Sequence, residues 1–111
     1  MRYSKEDFKT LHCNLETVIN LVNENVTGRK PRCMQYIEKM YHNIGVCIAY
    51  GYKDMGEVRK LIVSDWKIAN DKHNGISRYY FEKADKESER RLNNALEVAI
   101  MTIDTIIKGI K

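Results

Sequence analysis

Four long stretches of this sequence place apolar residues three or four positions apart, and one proline occurs in 111 residues. This spacing aligns side chains along one face of an α-helix, whereas a half-buried strand alternates at every second residue. The first stretch is the clearest, with apolar residues at Phe8, Leu11, Leu15, Val18 and Val22. The pattern therefore predicts an all-α protein.

Turn signals separate the predicted helices. Ser4 can cap the first helix, and Gly28 and Gly51 suit the ends of the first and second helices. Asp54 is expected to open the third helix with a capping box, and that helix should end before Gly75. Short turns favour antiparallel neighbours, so we expect an antiparallel four-helix bundle with up-down topology.

Residues 74–85, before the last helix, have an ambiguous pattern. Tyr79, Tyr80 and Phe81 have strand character, whereas Ser77 is suited to begin a helix. Either a long last helix runs unbroken from Ser77, or an irregular segment at about 74–85 precedes it. Residues 85–91 are almost all charged and are expected to be solvated.

The last helix is apolar over an arc wider than one seam. Ile100 and Ile107 lie to one side of a main stripe that includes Ala95 and Ile103, and the apolar pattern continues to Ile110. Such an arc suggests two contacts, one with the core of the bundle and one with a second copy. We therefore expect a homodimer formed through the last helix.

Length and charge limit the class of protein. A chain of 111 residues allows one domain, residues 1–111, and its net charge of +4 is mild for a dedicated nucleic-acid domain.

The N-terminus is charged from residue 2, and no apolar run reaches about 18 residues. The sequence therefore predicts a cytoplasmic protein without a membrane segment. Its three cysteines are expected to be buried, unpaired thiols.

Two segments are candidate partner-binding sites. The basic loop, residues 28–32, carries Arg29, Lys30 and Arg32 beside a helix start, and it could hold a phosphate or an acidic partner. The second segment mixes aromatic and basic residues that can stack on bases or anchor a protein, or can instead plug the end of the bundle. Its candidate residues are Arg78, Tyr79, Tyr80 and Lys83.

Asp65 is an unusual residue for a helix interior, because it lies in the sector leading into the core. A buried carboxylate is costly unless it is paired. The functional interpretation is a ligand-binding or catalytic acid, and the structural one is a carboxylate at the edge of the core, held by Lys, Arg or Tyr from another helix. Arg91 and Tyr36 have suitable angular positions for that role, so Asp65 and Arg91 are buried polar candidates.

The sequence contains no nucleophile motif, glycine-rich phosphate loop, paired cysteine motif or helical metal motif. We therefore expect no cofactor, no metal and no enzyme activity. The favoured hypothesis is a helical protein that binds and modulates another macromolecule, most simply a protein, as an inhibitor, immunity or adaptor protein encoded by a phage or mobile element. The first alternative is nucleic-acid or nucleotide binding through residues 28–32, and the second is a small enzyme centred on Asp65.

Overall fold

The computed structural model describes residues 3–109, which contain four α-helices, one 3-10 turn and no strand. The helices are α1 (Lys5–Asn25), α2 (Met34–Ala49), α3 (Met55–Ala69) and α4 (Lys86–Lys108), and the 3-10 turn is Ile76–Arg78. The all-α prediction is confirmed.

Neighbouring helices pack in an antiparallel arrangement. α1 contacts α2 and α4, and α2 also contacts α3. The hydroxyl of Tyr3, just before α1, donates a hydrogen bond of 2.5 Å to the carbonyl of Ile107 near the end of α4. The hydroxyl of Tyr41 in α2 reaches Glu16 in α1 at 3.2 Å. The predicted helical bundle is therefore confirmed.

The predicted apolar stripes form the core. All five apolar residues of the first stripe are fully buried, which stabilises the fold by about 1.5–3 kcal/mol for each large side chain. The other three helices each contribute side chains that are also fully buried, among them Ile37, Met40, Ile44, Ile62 and Ile103. Cys33 and Cys47 are buried as expected, whereas Cys13 is exposed, which corrects the expectation for this thiol.

Of the N-terminal caps predicted at Ser4 and Asp54, only the first is present. The Ser4 hydroxyl accepts from the Asp7 amide at 3.0 Å, and the Asp7 carboxylate accepts from the Ser4 amide at 2.9 Å. The capping box expected at Asp54 is wrong, because this residue makes no side-chain cap. The backbone of Asp54 is in the left-handed region (φ 59°), and so is the backbone of Gly51 (φ 76°) and Tyr52 (φ 64°) before it. A residue whose side chain caps a helix normally has an extended backbone.

The segment before α4 is irregular apart from its single 3-10 turn. α3 ends at Ala69, and α4 begins only at Lys86, so the helix does not run unbroken from Ser77. Ile76 and Phe81 are buried and close this end of the core. The alternative with an irregular segment is the one that the structure confirms.

The wide apolar arc of α4 is covered by the chain itself. Ile100 and Ile107 are both buried, and Ala95, which was placed on the main stripe, is exposed. Ile110 lies outside the described residues. The arc therefore does not require a second copy, and the homodimer remains a prediction without this support.

Candidate partner-binding cleft

A strap, residues 79–83, is fastened to α4 by the side chain of Asn93. Its amide nitrogen donates to the Phe81 carbonyl at 3.0 Å, and its oxygen accepts from the Phe81 amide at 2.8 Å. A segment outside helices and sheets needs other partners for its backbone. Asn93 provides both of them for Phe81, so the strap is held in one place.

Glu89 holds the strap at two more points. Its carboxylate accepts from the Tyr80 hydroxyl at 2.8 Å and from the Lys83 amide at 3.1 Å, and the Lys86 ammonium lies 3.3 Å away. The hydrogen bond from the Lys83 amide is the main reason why the pKa of Glu89 lies below its ordinary value, followed by that from Tyr80. Glu89 is buried, which corrects the expectation that residues 85–91 are all solvated.

A cleft of about 460 Å³ lies between residues 77–80 and α4. Its apolar lining comes from Tyr79, Leu96, Ile100 and Met101, and its polar lining from Ser77, Lys86, Arg90, Asn94 and Glu97, together with Tyr80, Glu89 and Asn93. Two large hydrophobic side chains of the lining are strongly exposed, Tyr80 at 59% and Met101 at 60%.

Among the described residues, the lining of this cleft pairs no nucleophile with a general base. No cysteine or histidine lines it, and the Ser77 hydroxyl donates to the side chain of Asn70 and not to a base. Nucleophilic catalysis needs a nucleophile within reach of a general base. The Glu89 carboxylate is already occupied by its three hydrogen-bond donors.

The aromatic candidates separate from the basic ones. Tyr79 and Tyr80 line the cleft, and the Tyr79 ring contacts the Phe81 ring edge-on at 5.2 Å between centroids. Arg78 donates instead to the Lys72 carbonyl at 2.8 Å, and Lys83 contributes its backbone amide to the strap.

The basic loop lies at the same end of the bundle. Burial raises the pKa of the Tyr79 hydroxyl, and Cys33, directly after the loop, lies close enough to raise it further. The Lys30 ammonium is paired with Glu38 at 3.3 Å, whereas Arg29 and Arg32 form no ion pair with a described residue.

The start of α2 offers little to a phosphate. The Met34 amide donates to the Pro31 carbonyl at 3.1 Å, and the Gln35 amide donates to the Arg32 carbonyl at 3.3 Å. An anion site at a helix start relies on amides that have no partner within the chain. The loop carbonyls satisfy these two amides, so only the arginine side chains remain for an anionic partner.

Asp65 is buried and paired with a lysine of another helix, which is within the structural interpretation, but Arg91 is not its partner. Its carboxylate lies 3.9 Å from the Lys39 ammonium of α2, which also lies over the Tyr36 ring at 5.6 Å. Arg91 is not a buried residue, because its side chain is 79% exposed and pairs with Glu87 one turn earlier at 3.2 Å. It lies on the outer face of α4, so angular position on a helix was not sufficient to predict this pair.

Sequence reasoning missed the polar residues that build the cleft. Glu89 and Asn93 continue the buried stripe of α4 towards its N-terminus, in register with Leu96, Ile100 and Ile103. A signal was therefore present, since spacings of four and three residues place all five on one helix face. It was overlooked because only apolar residues were counted as members of the stripe.

Comparison of the chain with family models, with curated proteins and with solved structures found no match. Among residues 3–109, no helix is both long and apolar enough to cross a bilayer. The same residues contain no group of three or more His, Cys, Asp or Glu side chains placed to hold a metal ion.

Proposed function

We propose that this protein binds another protein through the cleft between residues 77–80 and α4. The observation that carries this proposal is the Tyr80 ring, which is 59% exposed although its hydroxyl is fixed to the buried Glu89 carboxylate. A large aromatic side chain held rigidly in solvent is typical of an interface anchor. Met101 and Arg90 line the same cleft, and both residue types are enriched at protein interfaces.

Rigidity supports binding because ordering a side chain opposes association by about 0.5–1.5 kcal/mol. Tyr80 has lost most of that freedom in the free protein, since its hydroxyl and the adjoining strap are hydrogen-bonded to α4. The cleft can therefore receive a partner with little rearrangement.

The expected partner presents an apolar side chain next to a carboxylate. The apolar side chain would contact Leu96, Ile100 and Met101 in the cleft. The carboxylate would reach Arg90, which is exposed and forms no ion pair with a described residue. Binding of this kind suits an inhibitor, immunity or adaptor protein, whose modulating action requires a surface and no catalytic centre.

The experiment is affinity capture from a lysate of the source organism, at high salt and after nuclease treatment. Tyr80→Ala and Met101→Ala are compared with Tyr50→Ala and Val98→Ala, because Tyr50 and Val98 are exposed at 70% and 63% and lie outside the cleft. The proposal predicts a protein that the wild type and both controls retain and the cleft variants lose. Equal retention by all four variants would contradict it.

Nucleic-acid or nucleotide binding through residues 28–32 is the second candidate. Its support is the pair of exposed arginines, Arg29 and Arg32, at the same end of the bundle as the cleft. Such binding weakens steeply with salt, so we expect the wild type to capture a nucleic acid at low salt and to lose it at high salt. No capture at low salt, salt-independent capture, or equal capture by a variant that carries Arg29→Gln and Arg32→Gln would contradict this candidate. The enzyme alternative rests only on the burial of Asp65, which lies outside the cleft lining.

A further inference from the structure

A second cavity of about 370 Å³ lies between the start of α1 and the start of α3. Six residues line it: Tyr3, Lys5, Phe8, Met55, Gly56 and Arg59. The cleft described above has none of these residues in its lining, so the two cavities are separate features.

The charge of this second cavity is one-sided. Among the described residues, its lining contains two cations, Lys5 and Arg59, and no carboxylate. Neither cation forms an ion pair with a described residue, and the nearby Glu57 is already 3.5 Å from Lys60. The Lys5 ammonium lies over the Tyr52 ring at 5.3 Å, and an anion in the cavity would be attracted by both cations.

The walls between the two cations are apolar. Met55 is half-buried and lies at the surface of the cavity, whereas Phe8 and Tyr3 are buried behind it, and the Tyr3 hydroxyl is committed to the Ile107 carbonyl. At Gly56, a side-chain carbon would meet no atom within 4 Å, so space is open at the α3 side of the cavity. The cavity therefore combines an apolar wall with two charges of one sign.

We propose that this cavity binds a small amphipathic anion, in which an apolar group carries a phosphate or a carboxylate. The apolar group would lie against Met55, and the charged group would contact Lys5 and Arg59. The guanidinium of Arg59 can bind two oxygens of such a group at once, whereas the Lys5 ammonium acts as a point charge. A volume of about 370 Å³ is sufficient for one ring with one charged substituent.

The test is a titration with phenyl phosphate and with benzoate at constant ionic strength. Binding is monitored through the NMR chemical shift of the Gly56 amide. Phenol and inorganic phosphate are the matched probes, because phenol lacks the charge and inorganic phosphate lacks the ring. We expect at least one aromatic anion to cause a saturable shift and to bind more tightly than both matched probes. If neither anion causes a saturable shift, or if phenol binds as well as the anions, the proposal is overturned.

Variants identify the residues that bind. Arg59→Gln and Lys5→Gln should each weaken the binding of the aromatic anion by about tenfold or more, because each removes a charged hydrogen-bond donor. Lys67→Gln, which removes an exposed cation from the last turn of α3, should leave the affinity unchanged. An unchanged affinity in Arg59→Gln and Lys5→Gln, with an intact circular dichroism spectrum, would also overturn the proposal. None of these results depends on whether Tyr80 binds a partner.

Discussion

The Tyr80 hydroxyl and the Glu89 carboxylate lie 2.8 Å apart, and their hydrogen bond fixes an exposed ring against the first half of α4. The same carboxylate accepts the Lys83 amide at 3.1 Å. One buried side chain therefore holds both the ring and the backbone of the strap. The shape of the proposed binding cleft depends on this relationship.

Asn93→Ala should release the strap. The substitution removes the donor and the acceptor that satisfy the backbone of Phe81, and part-buried groups left unsatisfied cost about 1–3 kcal/mol. Urea unfolding should show that the free energy of unfolding falls by this amount, and hydrogen exchange should become faster at the Phe81 amide. Asn94→Ala, at the exposed neighbouring position, is the matched control and should change neither measurement.

The contribution of Glu89 should depend on pH. Hydrogen bonds from the Lys83 amide and the Tyr80 hydroxyl lower its pKa in the folded state, so its charged form is the one that stabilises the fold. This stabilisation is complete above the pKa of an unfolded glutamate, about 4.3, and is lost as the pH falls through the lower folded value.

Glu89→Gln measures this effect. The difference between wild type and variant in the free energy of unfolding should be largest at neutral pH and should shrink as the pH falls below the glutamate range. Urea unfolding at several pH values provides the comparison. Glu87→Gln, at an exposed position of the same helix, should show a smaller difference at neutral pH. A difference for Glu89→Gln that stays constant with pH would show that the carboxylate charge does not hold the strap.

Helix packing at Gly45 gives a third prediction. A side-chain carbon at this position would lie 3.1 Å from Nε2 of His12, whose ring stacks on Tyr41 at 4.2 Å between centroids. The Tyr41 hydroxyl is in turn bonded to Glu16, so the His12 ring has little room to retreat. Gly45→Ala should therefore fail to give the gain of about 1 kcal/mol that alanine normally provides inside a helix.

The double variant separates packing from helix propensity. In the background of His12→Ala, the close contact is gone, and Gly45→Ala should stabilise the protein by about 1 kcal/mol. Thermal unfolding of the four proteins completes the cycle. If Gly45→Ala is equally stabilising in both backgrounds, the contact with His12 does not explain the glycine.

Tyr52→Phe should stabilise the protein. The Tyr52 hydroxyl is buried and has no hydrogen-bond partner among the described residues. Its removal should raise the free energy of unfolding by about 1 kcal/mol, because a buried unsatisfied polar group is costly. Tyr50→Phe is the control, since Tyr50 is exposed and its hydroxyl is open to water. A destabilised Tyr52→Phe variant would mean that the hydroxyl has a partner in solution.

The helices could be predicted because their signal is repeated. In α1, five apolar residues at spacings of three and four all became fully buried, and no other regular element fits that spacing. The start of α1 was also predictable, since the capping bonds of Ser4 involve a residue three positions away. Such local signals do not depend on how the helices pack.

The cleft could not be predicted in the same way. The contact between Asn93 and Phe81 joins residues of two different elements, and its geometry depends on how the strap turns back onto α4. The pair of Asp65 with Lys39 likewise depends on which helix packs against α3. The capping box predicted at Asp54 is absent for a local reason. Three residues of the turn have a left-handed backbone instead of the extended backbone that a cap requires.

Site-specific photocross-linking at the cleft is the decisive measurement. A photoreactive phenylalanine analogue replaces Met101 in one protein and Val98 in another, so that the two probes are similarly exposed on α4 and only the first lines the cleft. The hydrogen bond between Tyr80 and Glu89 stays intact in both proteins. We expect that, in a lysate of the source organism, the probe at position 101 gives one discrete protein adduct and the probe at position 98 does not. Equal adducts from both positions, or an adduct from position 98 alone, would contradict a partner site in the cleft.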